Sequence, residues 1–87
     1  MKKLGFGENK NIIHTNLKLY RIKNNLTQRQ LAAKMQTMNI NVDQQMISKI
    51  ERNNRIVTDY ELVCLCRILN VNIDDMIKNV ELEDDNQ

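Results

Sequence analysis

Four polar side chains on one predicted helix could form hydrogen bonds with a nucleic acid: Gln44, Gln45, Ser48 and Lys49. At about 100° per residue, they lie on the face opposite Ile47 and Ile50, with Gln44 at its boundary. The amide of glutamine can pair with N6 and N7 of adenine, and lysine can donate to guanine O6 or N7. The pattern predicts a base-contacting surface, although such residues also simply solvate exposed helices.

Helix start signals define the two helices around this surface. Thr27 and Gln30 match a capping box, which predicts the start of a second helix with Leu31, Ala32 and Met35 inside. Asp43 is a strong N-cap for the third helix, about residues 43–52. We expect residues 36–42 to form a loop, with Asn39 at positive φ.

The other helices follow from apolar spacing and further caps. A first helix is predicted over about residues 11–24, ended by Asn24 and Asn25. Thr58 and Glu61 form another capping box that opens a fourth helix, and Asn72 caps a short fifth one. The predicted inward residues of these three helices are Ile13, Leu17 and Tyr20; Leu62, Leu65, Cys66 and Leu69; and Ile73, Met76 and Ile77.

One carboxylate occupies an unexpected position. Glu51 falls on the inward side of the third helix, where a charge requires a partner. Arg21, near the end of the first helix, is the predicted partner. We therefore expect a structural ion pair between these helices.

The composition favours a single all-α domain. The chain has 87 residues, two Gly and no Pro, which disfavours a turn-rich β fold. Its net charge of +2 divides unevenly: residues 1–60 have 11 Lys/Arg against 4 Asp/Glu, and residues 61–87 have 2 against 7. A basic portion around the polar helix is typical of a nucleic-acid surface, although a lopsided solvated surface would look similar.

Other classes of site find little support. Cys64 and Cys66 point in different directions on a helix, and His14 is distant in sequence, so neither a disulfide nor a zinc site is predicted. We expect no cofactor, no small-molecule ligand, no membrane span and no enzymatic activity, because no activated nucleophile or phosphate-binding Gly loop is present. The expected location is the cytoplasm.

The predicted organisation has three parts. Residues 1–10 are expected to form a flexible N-terminal arm whose lysines, Lys2, Lys3 and Lys10, either contact phosphates or remain a plain disordered tail. Residues 11–80 form the domain, and residues 81–87 an acidic disordered tail.

As a set, three segments resemble the Xre family, the lambda-repressor-like and Cro-like helix-turn-helix regulators of bacteria and phages. They are residues 26–32, residues 47–53 (Ile-Ser-Lys-Ile-Glu-Arg-Asn) and residues 62–71, within a likeness that covers about residues 13–78. The resemblance implies a five-helix lambda-repressor-like domain. This chain departs from the family in a longer, Gly-free helix 2–3 loop, in Cys66 where Ala is common, and in Val57 where Pro is common.

The resemblance also implies roles for individual residues. Gln44, Gln45, Ser48 and Lys49 would contact bases, and Arg21 with Glu51 would join the first helix to the third. Gln28 would donate to a phosphate and support the recognition helix. Lys34 and Arg52 are also expected to contact phosphates, because they are positively charged. The expected phosphate contacts are therefore Gln28, Lys34, Arg52, Asn53, Asn54 and Arg55.

The expected function is sequence-specific binding of double-stranded DNA by a transcriptional regulator, most simply a repressor. Val63, Cys64 and Ile68 point away from the predicted core and form a candidate dimer strip, although scattered surface apolar residues are common. A homodimer, formed at least on DNA, would bind a palindromic operator. The alternative is an antitoxin-like or scaffold module that uses the same fold to bind protein.

Overall fold

The computed structural model describes residues 8–78, which form five helices and no strand. The helices are α1 (His14–Lys23), α2 (Gln28–Thr37), α3 (Gln44–Glu51), α4 (Asp59–Leu69) and α5 (Ile73–Met76). The predicted all-α architecture is therefore confirmed. Residues 1–7 of the expected arm and the whole expected tail, 81–87, lie outside the described residues.

Four helices begin with the predicted side-chain caps, and that of α5 is Asn72, which accepts from the N–H of Asp75 at 2.8 Å. The hydroxyl of Thr27 accepts from the backbone N–H of Gln30 at 3.0 Å, and that of Thr58 accepts from Glu61 at 3.3 Å. Asp43 accepts from the N–H of Met46 at 2.9 Å, and the Met46 sulfur accepts from the Asp43 N–H in return. Each cap satisfies donors that the first helical turn leaves without partners.

The first helix begins later than predicted. It starts at His14, and its N-cap residue Ile13 provides no side-chain hydrogen bond. Asn11, expected inside this helix, instead lies before it and accepts from the Ile13 N–H through Oδ1 at 3.1 Å. An asparagine side chain can replace a helical backbone bond in this way, which favours a turn over a helical start.

Asparagine ends each of the first four helices. Asn25, Asn39, Asn53 and Asn70 have φ between 55° and 63°, the left-handed region, and each lies one or two residues beyond its helix. The next residue then donates back to the helix, as in Leu26 N–H to Arg21 O at 3.2 Å. The prediction for Asn39 is confirmed, and asparagine performs the turn that glycine performs elsewhere.

The core is aliphatic and involves every helix. Its residues of greatest volume are at most 1% exposed: Leu17, Leu31, Met35, Val42, Ile47, Ile50, Leu65 and Met76. Tyr20 and Leu62 are only half-buried, and Ile73 is 43% exposed. All three were predicted to face inward: Tyr20 and Leu62 do pack against the core, whereas the structure corrects Ile73. Glu61, the neighbour of Leu62, is also buried.

The packing exposes one side of the third helix. α3 packs against α1 and α2, α2 also packs against α4, and α5 packs on α4. Residues 38–43 connect α2 to α3, and Val42 is fully buried within this connection. The Gln36 side chain donates to the Val42 carbonyl at 3.0 Å, which ties the connection to α2. The helix 2–3 loop is thus an ordered connection that helps to position α3.

Candidate nucleic-acid interface

α3 is amphipathic, and its polar side is accessible. Ile47 and Ile50 are at most 1% exposed, whereas Gln44, Gln45 and Lys49 are exposed. Ser48, beside them, is half-buried. Among residues 8–78, the side chains of Gln44, Gln45 and Lys49 have no hydrogen bond or ion pair, so their polar atoms are available to a ligand.

A buried polar cluster fixes the C-terminal end of α3. The Arg21 guanidinium donates to both carboxylate oxygens of Glu51, at 2.6 and 3.0 Å, and the Glu51 side chain is 3% exposed. Gln28 donates to the same carboxylate at 3.0 Å, and Arg21 also donates to the Leu26 carbonyl at 2.8 Å. This cluster joins the C-terminal end of α1 and the start of α2 to α3, and the amide nitrogen of Gln28 is engaged within it.

The turn after α3 is held by asparagines from the N-terminal segment. Asn53 Oδ1 accepts from the backbone N–H groups of Lys10 and Asn11, at 2.9 and 3.3 Å, and its Nδ2 donates to Asn9 at 2.7 Å. Asn11 is 8% exposed, and its Nδ2 donates to the carbonyls of Ile50 and Arg55, at 3.0 and 2.9 Å. Residues 9–11 are therefore bound to this turn, and the side chain of Asn53 has intramolecular partners.

Arg55 forms a second ion pair, which sequence reasoning did not anticipate. Its guanidinium donates to both oxygens of Glu61, at 2.9 and 3.1 Å, and Glu61 is 5% exposed. Burial alone would raise the pKa of Glu61, but hydrogen bonds from Arg55 and Thr58 and the charge of Arg55 outweigh it, so the pKa is lowered. The same contact raises the pKa of Arg55. The signal available in the sequence was a capping-box glutamate that follows an arginine by six residues.

We expect the Arg55–Glu61 pair to make stability depend on pH. A carboxyl whose pKa is lowered by folding stabilises the protein above its ordinary pKa of 4.5, and this contribution is lost as the pH falls through the folded value. Urea unfolding at about pH 6 and pH 3 should show a larger loss for the wild type than for Glu61→Gln. Glutamine keeps the capping position, so it is a suitable reference. An equal loss in both proteins would contradict this prediction.

The remaining expected phosphate-contacting residues are exposed. They are Lys34 on α2, Arg52 at the end of α3 and Asn54 in the turn. Within the described part of the chain, the Arg52 side chain donates only to the Ser48 carbonyl, at 3.3 Å. Lys49 on α3 and Arg52 at its end are therefore two exposed cations on this helix.

The candidate dimer strip divides into two kinds of residue. Cys64 and Ile68 are partly buried and pack against the core, so they do not point fully away from it as predicted. Val63 is also partly buried but borders an open groove of about 610 Å³ beside α5. Both cysteines are free thiols, and burial raises the pKa of Cys66.

Two features are absent from residues 8–78. No helix in residues 8–78 is long and apolar enough to cross a membrane. The same part of the chain has no group of three or more His, Cys, Asp or Glu side chains placed to hold a metal ion.

The fold agrees with a comparison against known protein families. The family described as helix-turn-helix matches residues 17–76, which include α2 and α3 and most of the chain. Searches of curated proteins and of solved structures gave no match. Five helices with an exposed polar α3, together with this match, show that the chain belongs to the Xre/lambda-repressor-like helix-turn-helix family, a family of DNA-binding domains of the transcription-regulator type.

Proposed function

We propose that this protein is a sequence-specific transcriptional repressor that places α3 in the major groove of duplex DNA. The observation that supports this most directly is the exposed, unengaged set of Gln44, Gln45 and Lys49 on a helix anchored by Ile47 and Ile50. The helix-turn-helix motif consists here of α2 and α3, and proteins with this motif present the N-terminal residues of its second helix to base edges. Gln44 and Gln45 are the first two residues of α3, where such contacts occur.

In this proposal, glutamine and lysine select the sequence and the surrounding cations position the protein. Gln44 or Gln45 pairs with adenine, Lys49 donates to guanine, and Ser48 contacts a neighbouring base edge. Lys34, Arg52 and Asn54 contact phosphates, which adds affinity without sequence information. Gln28, Asn53 and Arg55 support the interface from within, because their side chains bind other parts of the protein.

A homodimer on a palindromic operator completes the proposal. Two copies would place two α3 helices in half-sites about one helical turn, ~34 Å, apart. Repression would follow from occupation of a promoter by the protein. Such a protein acts in the cytoplasm, where the DNA is.

The test is selection of preferred duplexes from a random library, followed by binding measurements at several salt concentrations. We expect affinity to fall steeply as salt rises, because phosphate contacts release counterions. Gln45→Ala should lose about 1–3 kcal/mol of discrimination at one base pair per half-site and retain its preference elsewhere. Lys49→Ala should lose discrimination at a different base pair.

Lys18→Ala is the matched control, since Lys18 is an exposed lysine on α1. Its sequence preference should equal that of the wild type. An unchanged preference in Gln45→Ala would rule out direct base contact by that residue. Absence of salt-dependent duplex binding in the wild type would refute the proposal and favour a protein-interaction module.

A further inference from the structure

The outer side of α4 has a charge pattern that is complementary to itself. Asp59, Val63 and Arg67 follow one another at intervals of four, so they lie along one stripe of the helix. Asp59 and Arg67 are exposed, and the side chain of neither has a hydrogen bond or ion pair with any other residue in the range 8–78. An acid and a base thus lie at equal distances, about 6 Å, on either side of an apolar centre.

We propose that two copies of this chain pair antiparallel along α4, with Val63 against the partner's Val63 and each Asp59 beside the partner's Arg67. A two-fold interface brings one surface patch against itself, so every contact away from the axis occurs twice. In this register, both acids face bases, and no like charges meet on the stripe. Parallel pairing would bring the acids together and the bases together, which is unfavourable.

The shape of the surface agrees with the same register. The groove of about 610 Å³ lies beside the second half of α4, where Val63, Cys66, Arg67 and Asn70 border it. Tyr60 precedes Val63 by as many residues as Cys66 follows it, so the antiparallel register brings the partner's Tyr60 to the groove.

Tyr60 is 59% exposed, which is high for an aromatic side chain. Its ring would fill apolar volume in the groove and lie near the Arg67 guanidinium, a favourable cation–π arrangement. Ile56, two residues before the N-cap Thr58, is 65% exposed. Tyr60 therefore precedes the centre, and the groove that would receive it, which Ile73 also lines, follows the centre.

The interface is small, so the expected dimer is weak. α4 has 11 residues, or about 16 Å of helix, which provides less contact than the ~1,200 Å² or more of a stable interface. Weak pairing becomes effective when two copies occupy adjacent half-sites, because the second contact is then intramolecular. This inference names the surface through which the proposed repressor would form its dimer, and in that respect it rests on the proposed function.

Charge reversal tests the register without DNA. In Asp59→Lys, every stripe contact joins two cations, and in Arg67→Glu every contact joins two anions. Each variant alone should self-associate about tenfold or more weakly than the wild type in sedimentation equilibrium. A one-to-one mixture should recover association, because each contact then joins opposite charges. Lys18→Glu should associate like the wild type, and thermal unfolding verifies that each variant is folded.

Two results would overturn the pairing: a wild type that stays monomeric up to about 1 mM, or single variants that associate as strongly as the wild type. Recovery in the mixture supports the antiparallel register specifically, since a merely weakened fold would not recover. Binding to a single half-site duplex separates this inference from the proposed function. Variants that no longer pair but still bind the half-site affect only the dimer, whereas a wild type that pairs and binds no duplex refutes the DNA-binding role alone.

Discussion

Replacing Glu51 by alanine is expected to lower the free energy of unfolding by about 3–5 kcal/mol. The substitution leaves the Arg21 guanidinium, whose side chain is 11% exposed, without the carboxylate that accepts two of its hydrogen bonds. It also removes the acceptor for the amide of Gln28. A charge and an amide that lose their partners in a water-poor site account for the large cost. Urea unfolding of both proteins measures the difference.

A double variant distinguishes a charge effect from a packing effect. Arg21→Met with Glu51→Met removes both charges while keeping apolar volume, so it should be more stable than Glu51→Met alone. A destabilisation within about 0.5 kcal/mol for Glu51→Ala, the range of surface substitutions, would contradict burial of the pair. If the double variant is less stable than both Arg21→Met and Glu51→Met, the two side chains stabilise the protein by more than neutralising each other's charge.

Most of the fold could be predicted because its signals are local. The side-chain caps at Thr27, Asp43 and Thr58 and the left-handed Asn39 each depend on a few adjacent residues. Apolar spacing then predicted the buried residues of α3. The partner of Glu51 could also be predicted, since a charge on an inward position requires one and Arg21 is a basic residue near the end of the first helix.

The errors concern residues whose partners are distant in sequence. Arg55 has the positive charge of a phosphate-binding residue. Only the folded position of Glu61 shows that its guanidinium donates to that carboxylate. Asn11 was predicted inside a helix, because no local signal indicates that its amide bonds to carbonyls about 40 residues away. Burial of Glu61 was not predicted either, since only the ion pair with Arg55 makes an acidic side chain acceptable there.

Replacing Asn11 by alanine should destabilise the protein by about 3 kcal/mol, because buried polar groups lose their partners. The carbonyls of Ile50 and Arg55 would each lose a donor, and the Ile13 N–H would lose its acceptor. Asn11→Asp keeps the size and the acceptor but replaces the donating amide with a carboxylate facing two carbonyls. It should therefore be at least as destabilising as alanine, as measured by urea unfolding near neutral pH.

Asn41→Ala, at an exposed asparagine, is the control and should remain within about 0.5 kcal/mol of the wild type. An Asn11→Asp protein as stable as the wild type would show that the amide donors contribute nothing.

The same substitution tests how the turn after α3 would affect the proposed binding to DNA. Because Asn11 and Asn53 fix the backbone that presents Asn54, loosening it should weaken duplex binding for all sequences alike. The sequence preference that we propose for Gln45 and Lys49 should remain, since phosphate contacts position a protein and base contacts select the site.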